Sequence, residues 1–210
     1  VAGVAGPGEP LDNPETYETF RLLHRRFPAL TLCVSTNGLL LPDRVEALTD
    51  CGVRTLTITI NAVHPGPAAA LYSSVRWRGT VLPPEEGVPL LLSRQREGLE
   101  RAVQAGFTVK VNTVLVPGVN QDEIPSIAAL AGAAGAALMN ITPLIPCGLL
   151  DGRAPPTPAQ LHHARRLAGA HLPQFTHCRQ CRADACGVPG LEAKEAPSGS
   201  HPVLNRSRTL

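Results

Sequence analysis

Cys178 and Cys181, near the C-terminal end of the sequence, stand at a spacing typical of metal ligands. Two thiolates separated by two residues can bind one metal ion or one iron–sulfur cluster. His177 and Cys186 can complete a four-ligand zinc site, which is the simplest metal interpretation. A thioredoxin-like redox pair is disfavoured, because that motif opens a helix after a strand and this pair follows a predicted helix. Alternatively, Cys178 and Cys181 are unrelated thiols that form no binding site.

The other cysteines differ in their predicted surroundings. Cys33 lies on the polar face of a predicted strand, so a ligand role competes with the packing of a small side chain. Cys51 ends a predicted helix beside Gly52 and is expected to pack in the core, whereas Cys147 lies in a Pro/Gly-rich loop and has no assigned role. Six unevenly spaced cysteines in 210 residues are too few for a disulfide scaffold, which favours reduced thiols and a cytoplasmic protein.

Two glycine-containing turns follow the first two predicted strands. Gly6, Gly8 and Glu9 follow residues 2–5, at the strand end where ligands bind in α/β folds. Glycine lets a ligand approach the backbone closely, and the Glu9 carboxylate can meet an ammonium group. Residues 35–38 (Ser-Thr-Asn-Gly) end the next strand with hydroxyl and amide groups. Each motif alone is more typical of a plain turn than of a site.

Short β-rich runs alternate with helical runs along the chain. The predicted strands are residues 2–5, 30–36, 53–60, 107–116 and 138–142. Five helices are predicted. The first begins at Pro14 after an Asn13 cap, and the second and third span 42–51 and 84–105. The fourth runs from an Asp122 cap to 134, and the fifth runs from a Thr157 capping box to about 171. About five βα units in series predict a parallel sheet, open or closed into a barrel, with an antiparallel sheet as the weaker alternative.

The predicted strands alternate between polar and apolar residues, whereas ordinary parallel strands are apolar on both faces. The polar positions are Thr31, Cys33, Ser35, Asn37, Thr55, Thr57, Thr59, Asn61, Thr108, Lys110, Asn112, Asn140 and Thr142. If helices cover the apolar faces, the polar faces look into a shared interior. An interior of this composition predicts a binding site rather than a packed core.

Composition restricts the classes of protein to consider. A net charge of +2, 3% aromatic residues and no basic stripe disfavour nucleic-acid binding. No apolar run reaches the roughly 18 residues of a membrane span. His24, His162 and His163 are expected at the surface, and Trp77 is expected to anchor an exposed loop with Arg76 and Arg78, a safer interpretation than an anion site.

Together these motifs resemble the NifB family of radical S-adenosylmethionine (SAM) proteins. The matching stretches are residues 5–11, 32–38, 57–63, 94–95, 110–112, 117–120, 140, 143–145 and 177–185. The resemblance spans residues 1 to about 187, and its last motif, which contains Cys178 and Cys181, is highly specific to this family.

The resemblance implies an α/β fold with a partial (βα)6 radical SAM barrel over residues 1–172. A cluster-ligand segment over 173–187 and a disordered tail over 188–210 would follow. It implies that SAM is bound by Gly6, Gly8, Glu9, Ser35, Thr36, Asn37, Thr59, Asn61, Lys110 and Asn112. Cys178 and Cys181 would ligate one substrate [4Fe-4S] cluster, and Cys33 would ligate another.

In this family, the two clusters are fused with a carbide from the SAM methyl group and an added sulfur. The [8Fe-9S-C] product is a precursor of the nitrogenase FeMo cofactor. The partners implied are iron–sulfur cluster donors and nitrogenase cofactor-assembly proteins, with no nucleic acid and no membrane.

The sequence also departs from the family pattern. The Cys-x-x-x-Cys-x-x-Cys motif of the SAM-cleaving [4Fe-4S] cluster is absent, as is the first βα unit, and Val1 is interpreted as a cut inside a strand. A fragment that cannot cleave SAM is therefore expected. Residues 146–156 look shorter than the family loop, and Cys147 and Cys186 match no family ligand. The alternatives are another radical SAM enzyme, such as a MoaA-like cyclase, and a non-catalytic zinc-binding α/β module.

Overall fold

The computed structural model describes residues 1–6 and 8–175, and this part of the chain contains a parallel sheet and a small hairpin. The strands are β1 (Ala2–Val4), β2 (Leu32–Thr36), β3 (Thr55–Thr59), β4 (Val75–Trp77), β5 (Thr80–Leu82), β6 (Thr108–Leu115) and β7 (Leu138–Pro143). The sheet has the order β1-β2-β3-β6-β7, and all its neighbouring strands are parallel. The five predicted strands are confirmed, and the antiparallel alternative is wrong.

Helices connect these strands and pack on the sheet. They are α1 (Pro14–Arg26), α2 (Val45–Asp50), α3 (Pro65–Ala69), α4 (Pro84–Gln104), α5 (Ile124–Ala133) and α6 (Pro158–Gly169), with 3-10 turns at Pro10–Asp12, Leu41–Asp43, Gln121–Glu123 and Gly148–Leu150. Within the described residues, no helix is both long and apolar enough to cross a lipid bilayer.

Local capping chemistry places several helix ends as predicted. Asn13 Oδ1 accepts a hydrogen bond from Glu15 N at 3.0 Å, next to Pro14 in the first helical turn. Thr157 and Gln160 form the predicted capping box at the start of α6. These signals need only a few neighbouring residues, which is why the sequence reveals them.

Two predicted helices differ from the structure. The helix expected over 42–51 is a 3-10 turn followed by α2, because Arg44 between them leaves helical backbone angles at φ −121° and ψ −4°. The Asp122 cap is wrong, since Asp122 lies inside a 3-10 turn and α5 begins at Ile124 without a side-chain cap. Asn120 makes the turn instead: its Oδ1 accepts from Val116 N at 2.8 Å.

The segment expected as a loop around Trp77 is a β4-β5 hairpin. Its turn residues Arg78 and Gly79 have φ values of +48° and +84°, the positive pair that a two-residue hairpin turn requires. Trp77 anchors the hairpin as predicted, because it packs against the buried Val75 and its ring lies under the Arg78 and Arg94 guanidinium groups at 4.9 and 5.0 Å.

The core lies between the helices and the apolar positions of the strands. Its sheet members are Leu32, Val34, Leu56, Ile58, Ile60, Val109, Val111, Met139 and Ile141. Residues of all the longer helices join the same cluster, including Phe20 of α1, Leu48 of α2, Leu99 of α4, Ile127 of α5 and Ala164 of α6. The helices therefore cover the apolar positions, as predicted, and leave the polar positions for another role.

Candidate functional site

The register of the sheet aligns the polar side chains in rows. Ser35 is paired with Thr57, which is paired with Lys110. One row toward the carboxyl ends of the strands, Thr59 is paired with Asn112 and Asn112 with Asn140. Partners in a parallel sheet lie about 4.8 Å apart and point to the same face. The predicted polar face is thus a continuous patch across four strands.

The middle of this polar face is shielded from solvent. Its buried members are Cys33, Ser35, Thr57, Lys110, Asn112 and Asn140. Asn140 Nδ2 donates to Asn112 Oδ1 at 2.9 Å. Asn140 Oδ1 is also buried, yet it has no hydrogen-bond partner among the described residues. Because an unpaired buried acceptor is costly, this oxygen points to a ligand or water donor on the polar face.

Cys33 and Cys51 are both buried but lie in different surroundings. Cys51 is fully buried within the hydrophobic core, as predicted, and burial raises the pKa of its thiol. Cys33 is paired with Gly3 and Thr55 on the polar face and is not a member of the hydrophobic core clusters of the described residues. Its place on the polar face is the one that the alternation of the strand predicts. Cys147 is exposed, and the structure suggests no role for it.

The glycine-rich turn stands beside the end of β2. Gly6 and Gly8 have φ values of +106° and +90°, and a Cβ on Gly8 would meet no atom within 4 Å. The backbone there is open to a ligand, as glycine permits.

Glu9 connects this turn to β2. Its carboxylate accepts hydrogen bonds from Leu11 N at 3.1 Å, Thr36 Oγ1 at 2.7 Å and Asn37 N at 2.8 Å. A carboxylate has about four acceptor sites, so one remains for the predicted ammonium group. Thr36 is paired with Ile58 of the apolar face, so its hydroxyl serves the turn rather than the polar face.

Side-chain amides join the carboxyl ends of neighbouring strands. Gln95 Nε2 of α4 donates to Asn37 O at 2.8 Å and to Thr59 O at 2.9 Å. Asn61 Oδ1 accepts from Val114 N at 2.9 Å, and Asn61 Nδ2 donates to Tyr72 Oη at 3.1 Å. The side chain of the predicted ligand residue Asn61 therefore bridges the chain after β3 and strand β6, and its carbonyl oxygen accepts from Asn120 Nδ2 at 2.9 Å.

Glu123 holds the chain that follows β3. Its Oε2 accepts from Val63 N at 2.8 Å and His64 N at 2.9 Å, and its Oε1 lies 2.8 Å from His64 Nδ1. Burial alone raises the pKa of Glu123, but the hydrogen bonds from Val63 and His64 outweigh burial and lower it below the ordinary 4.5.

The chain returns to the polar face after α6. Met139 N donates to Pro173 O at 2.9 Å, and Phe175 N donates to Met139 O at 2.7 Å. The Phe175 ring lies over the buried Lys110, with Nζ 5.7 Å from the ring centroid. The predicted ligands Cys178 and Cys181, the candidate zinc ligands His177 and Cys186, and the predicted tail 188–210 lie outside the described residues.

The structure therefore brings together most of the predicted site within the described residues. Cys33, Ser35, Thr59, Lys110 and Asn112 lie in rows of one face, and Gly8, Glu9 and Asn37 lie at the turns beside it. Sequence reasoning gave no role to Gln95, Asn120, Glu123 and Phe175. Gln95 and Asn120 belong to stretches that match the family, whereas no local pattern marks Glu123 or Phe175 because their partners are distant in sequence.

Comparisons with known proteins agree with this geometry. The family model of the radical SAM superfamily matches residues 4–131. A radical SAM methyltransferase from Sphaerobacter thermophilus has a TM-score of 0.58 at 20% identity, covering 82% of this chain and 49% of that one. SuiB of Streptococcus suis also has a TM-score of 0.58, at 11% identity, covering 86% and 39%. At these identities the structural likeness concerns the fold alone.

The relatives found by sequence indicate a narrower family than the solved structures do. The FeMo cofactor biosynthesis protein NifB of Klebsiella pneumoniae is 41% identical, and the match covers 100% of this chain and 48% of that protein. NifB of Methanocaldococcus infernus is 39% identical, with 90% and 62% covered. The chain thus spans roughly half the length of the curated relatives it matches. With a parallel sheet, a polar face and these similarities, the chain belongs to the radical SAM superfamily and, within it, to the NifB family.

Proposed function

We propose that this chain takes part in FeMo-cofactor biosynthesis as the SAM-binding and cluster-binding part of a radical SAM enzyme. The observation that carries this proposal is the buried polar face, with Cys33 at one end and the unpaired Asn140 Oδ1 at the other. The names of the NifB relatives support the biosynthetic role.

SAM fits the donors and acceptors of this face and of its turns. SAM carries an ammonium, a carboxylate and a ribose, and when bound it supplies a cleavable carbon–sulfur bond and a methyl group. The open backbone of Gly8, its neighbour Gly6 and the fourth acceptor site of Glu9 suit its ammonium end. Ser35, Asn112 and the free Asn140 oxygen offer further hydrogen bonds. Thr36, Asn37, Thr59 and Asn61 shape the rim.

Two [4Fe-4S] clusters are the proposed substrates. We assign Cys33 to one cluster and Cys178 and Cys181 to the other, because thiolates are the usual ligands of such clusters. Residues 1–172 would then form a partial (βα)6 barrel, with 173–187 as a cluster-ligand segment. The buried Lys110 ammonium lies on the same face as Cys33 and favours anionic thiolate-bound clusters there.

The product of this chemistry would be the [8Fe-9S-C] precursor, formed by fusion of both clusters and insertion of a carbide. Cluster donors and nitrogenase cofactor-assembly proteins are the proposed partners. Residues 1–210 contain no Cys-x-x-x-Cys-x-x-Cys, so we propose that this stretch by itself binds SAM without the lyase-like cleavage. Formation of 5′-deoxyadenosine by the reconstituted chain with dithionite would refute that point.

Anaerobic reconstitution with iron and sulfide tests the cluster assignment. Cys33→Ala, and separately the Cys178→Ala/Cys181→Ala double variant, should each lose about half of the bound iron and of the absorbance near 400 nm. Cys51→Ala is the matched control, since its thiol lies in the core: it should keep the iron and lose about 1 kcal/mol of stability. Binding of about one zinc per chain without iron–sulfur absorbance would overturn the assignment.

A further inference from the structure

Gln95 is a polar residue on the buried face of α4. The buried residues of this helix recur at helical spacing, and the members other than Gln95 are glycine or apolar residues: Gly87, Val88, Leu91, Gly98, Leu99 and Ala102. Gln95 is only 2% exposed, and its Oε1 is buried without a hydrogen-bond partner among the described residues. A buried amide with an unpaired oxygen costs stability, so packing alone does not explain a glutamine at this position.

The amide nitrogen of Gln95 joins the ends of two strands. Nε2 donates to Asn37 O, just beyond β2, at 2.8 Å and to Thr59 O, at the end of β3, at 2.9 Å. The N–H of Asn37 in turn donates to Glu9 Oε2 at 2.8 Å. The Asn37 backbone is therefore held through both its N–H and its C=O. One hydrogen-bonded path connects the turn after β1 with the ends of β2 and β3.

These three strand ends carry residues of the proposed SAM site. Glu9 has an acceptor site left for the ammonium group, and Thr59 is paired with Asn112 of the polar face. A site whose groups are already in place binds more tightly, because less conformational entropy is lost on binding. On the basis of the function proposed above, we infer that Gln95 is a positioning residue. It fixes the spacing of the Glu9 turn, β2 and β3 around SAM without contacting SAM itself.

Arg94 holds the continuation of the same turn independently of Gln95. Its Nε donates to Leu39 O at 3.0 Å, and its Nη2 donates to Asp43 Oδ2 at 2.6 Å. Its guanidinium group also lies 5.0 Å from the centroid of the Trp77 ring. These contacts fasten the turn to α4 when the Gln95 amide is removed. Loss of that amide should therefore loosen the strand ends locally and leave the helix packed.

Isothermal titration calorimetry of the full chain with SAM tests this inference. Gln95→Met keeps the length of the side chain without its donor, and we expect it to weaken SAM binding on the order of tenfold. Gln95→Glu places a carboxylate against both carbonyl oxygens and should bind SAM more weakly still.

Ala102→Gly is the matched control. Ala102 is a buried residue of the same helix, about 10 Å along its axis from Gln95, and glycine there lowers the stability of the helix without touching the strand ends. This variant should bind SAM like the parent.

Hydrogen exchange at Asn37 gives a readout that a general loss of stability would not produce. Without SAM, the Asn37 N–H should exchange on the order of tenfold faster in Gln95→Met than in the parent, because the local opening of the strand ends becomes easier. In Ala102→Gly the same N–H should exchange at the parent rate.

The inference is overturned if the parent binds SAM and Gln95→Met binds it equally tightly, or if Ala102→Gly weakens binding as much as Gln95→Met does. A parent chain that does not bind SAM refutes the proposed function, and the inference falls with it. Gln95→Asn, whose amide is one methylene too short to reach both carbonyl oxygens, carries the same test if Gln95→Met fails to fold as judged by circular dichroism.

Discussion

Two carboxylates determine the backbone at the carboxyl ends of neighbouring strands. Glu9 accepts from the backbone N–H of Leu11 and Asn37, and Glu123 accepts from those of Val63 and His64. In both cases one side chain joins segments that are far apart in sequence. At the residue scale, the backbone at the edge of the site depends on these two carboxylate acceptors.

Glu9→Gln should lower the free energy of unfolding by about 1–3 kcal/mol. An amide replaces one acceptor oxygen by an NH2 group, so either Asn37 N, which donates to Oε2, or Leu11 N and Thr36 Oγ1, which donate to Oε1, lose their acceptor. Urea denaturation measures the change, and Glu46→Gln, an exposed glutamate of α2, is the control with little expected loss. Equal losses in both variants would contradict the role assigned to Glu9.

The lowered pKa of Glu123 predicts how the free energy of unfolding depends on pH. Its pKa is lowered in the folded chain, so its contribution is complete above the ordinary value of 4.5 and disappears as the pH falls through the lower folded value. Glu123→Gln should therefore lower stability at pH 7 by about 1–3 kcal/mol and lose less stability than the parent on acidification. Urea unfolding from pH 7 to pH 3 compares the two slopes, and identical slopes would contradict this account.

At the scale of elements, α4 packs directly on the turn that follows β2. Gly38 has φ +85°, and a Cβ there would lie 3.0 Å from Gln95 Cγ and 3.1 Å from Ile58 Cγ2. Gln95 itself donates to Asn37 O and Thr59 O. The close approach of helix and turn therefore allows one amide to bridge the ends of β2 and β3.

Gly38→Ala and Gly79→Ala separate strain from packing. Both glycines have φ near +85°, but a Cβ on Gly79 would meet nothing within 4 Å. Gly79→Ala should cost about 1–2 kcal/mol for the backbone conformation alone. Gly38→Ala should cost about 1 kcal/mol or more beyond that, because Gln95 and Ile58 must move. Chemical denaturation compares the free energies of unfolding of the two variants. Equal losses would show that Gln95 and Ile58 move without an energetic cost.

At the scale of the whole molecule, binding of SAM to the polar face should stabilise the fold. At 100 times its dissociation constant, a ligand that binds only the folded chain adds about 2.7 kcal/mol, or about 5–10 °C in Tm for a body of this size. Asn112→Ala should abolish this shift, because it removes an amide of the polar face, whereas Gln104→Ala at the exposed end of α4 should retain it. Thermal unfolding with and without SAM measures the shift, and a shift that persists in Asn112→Ala would place the ligand elsewhere.

Much of this protein is determined by the sequence alone. The five strands, the alternation of polar and apolar positions, the Asn13 cap and the Thr157 capping box all follow from periodicity or from residues within one turn of each other. The motifs of the family are equally local. The hairpin at Trp77 is also local, because its turn consists of Arg78 and Gly79, which both have positive φ values. Arg-Gly is a weak turn signal, so the sequence predicted a loop there instead.

Tertiary structure decided the remainder, because those contacts join residues that local patterns cannot connect. Glu9 reaches Thr36, Gln95 reaches Asn37, Glu123 reaches Val63, and Phe175 reaches Lys110. Register decided which polar side chains are neighbours, with Ser35 beside Thr57 and Thr57 beside Lys110. A parallel sheet joins strands through long crossovers, so which side chains meet at its carboxyl edge depends on how the helices pack.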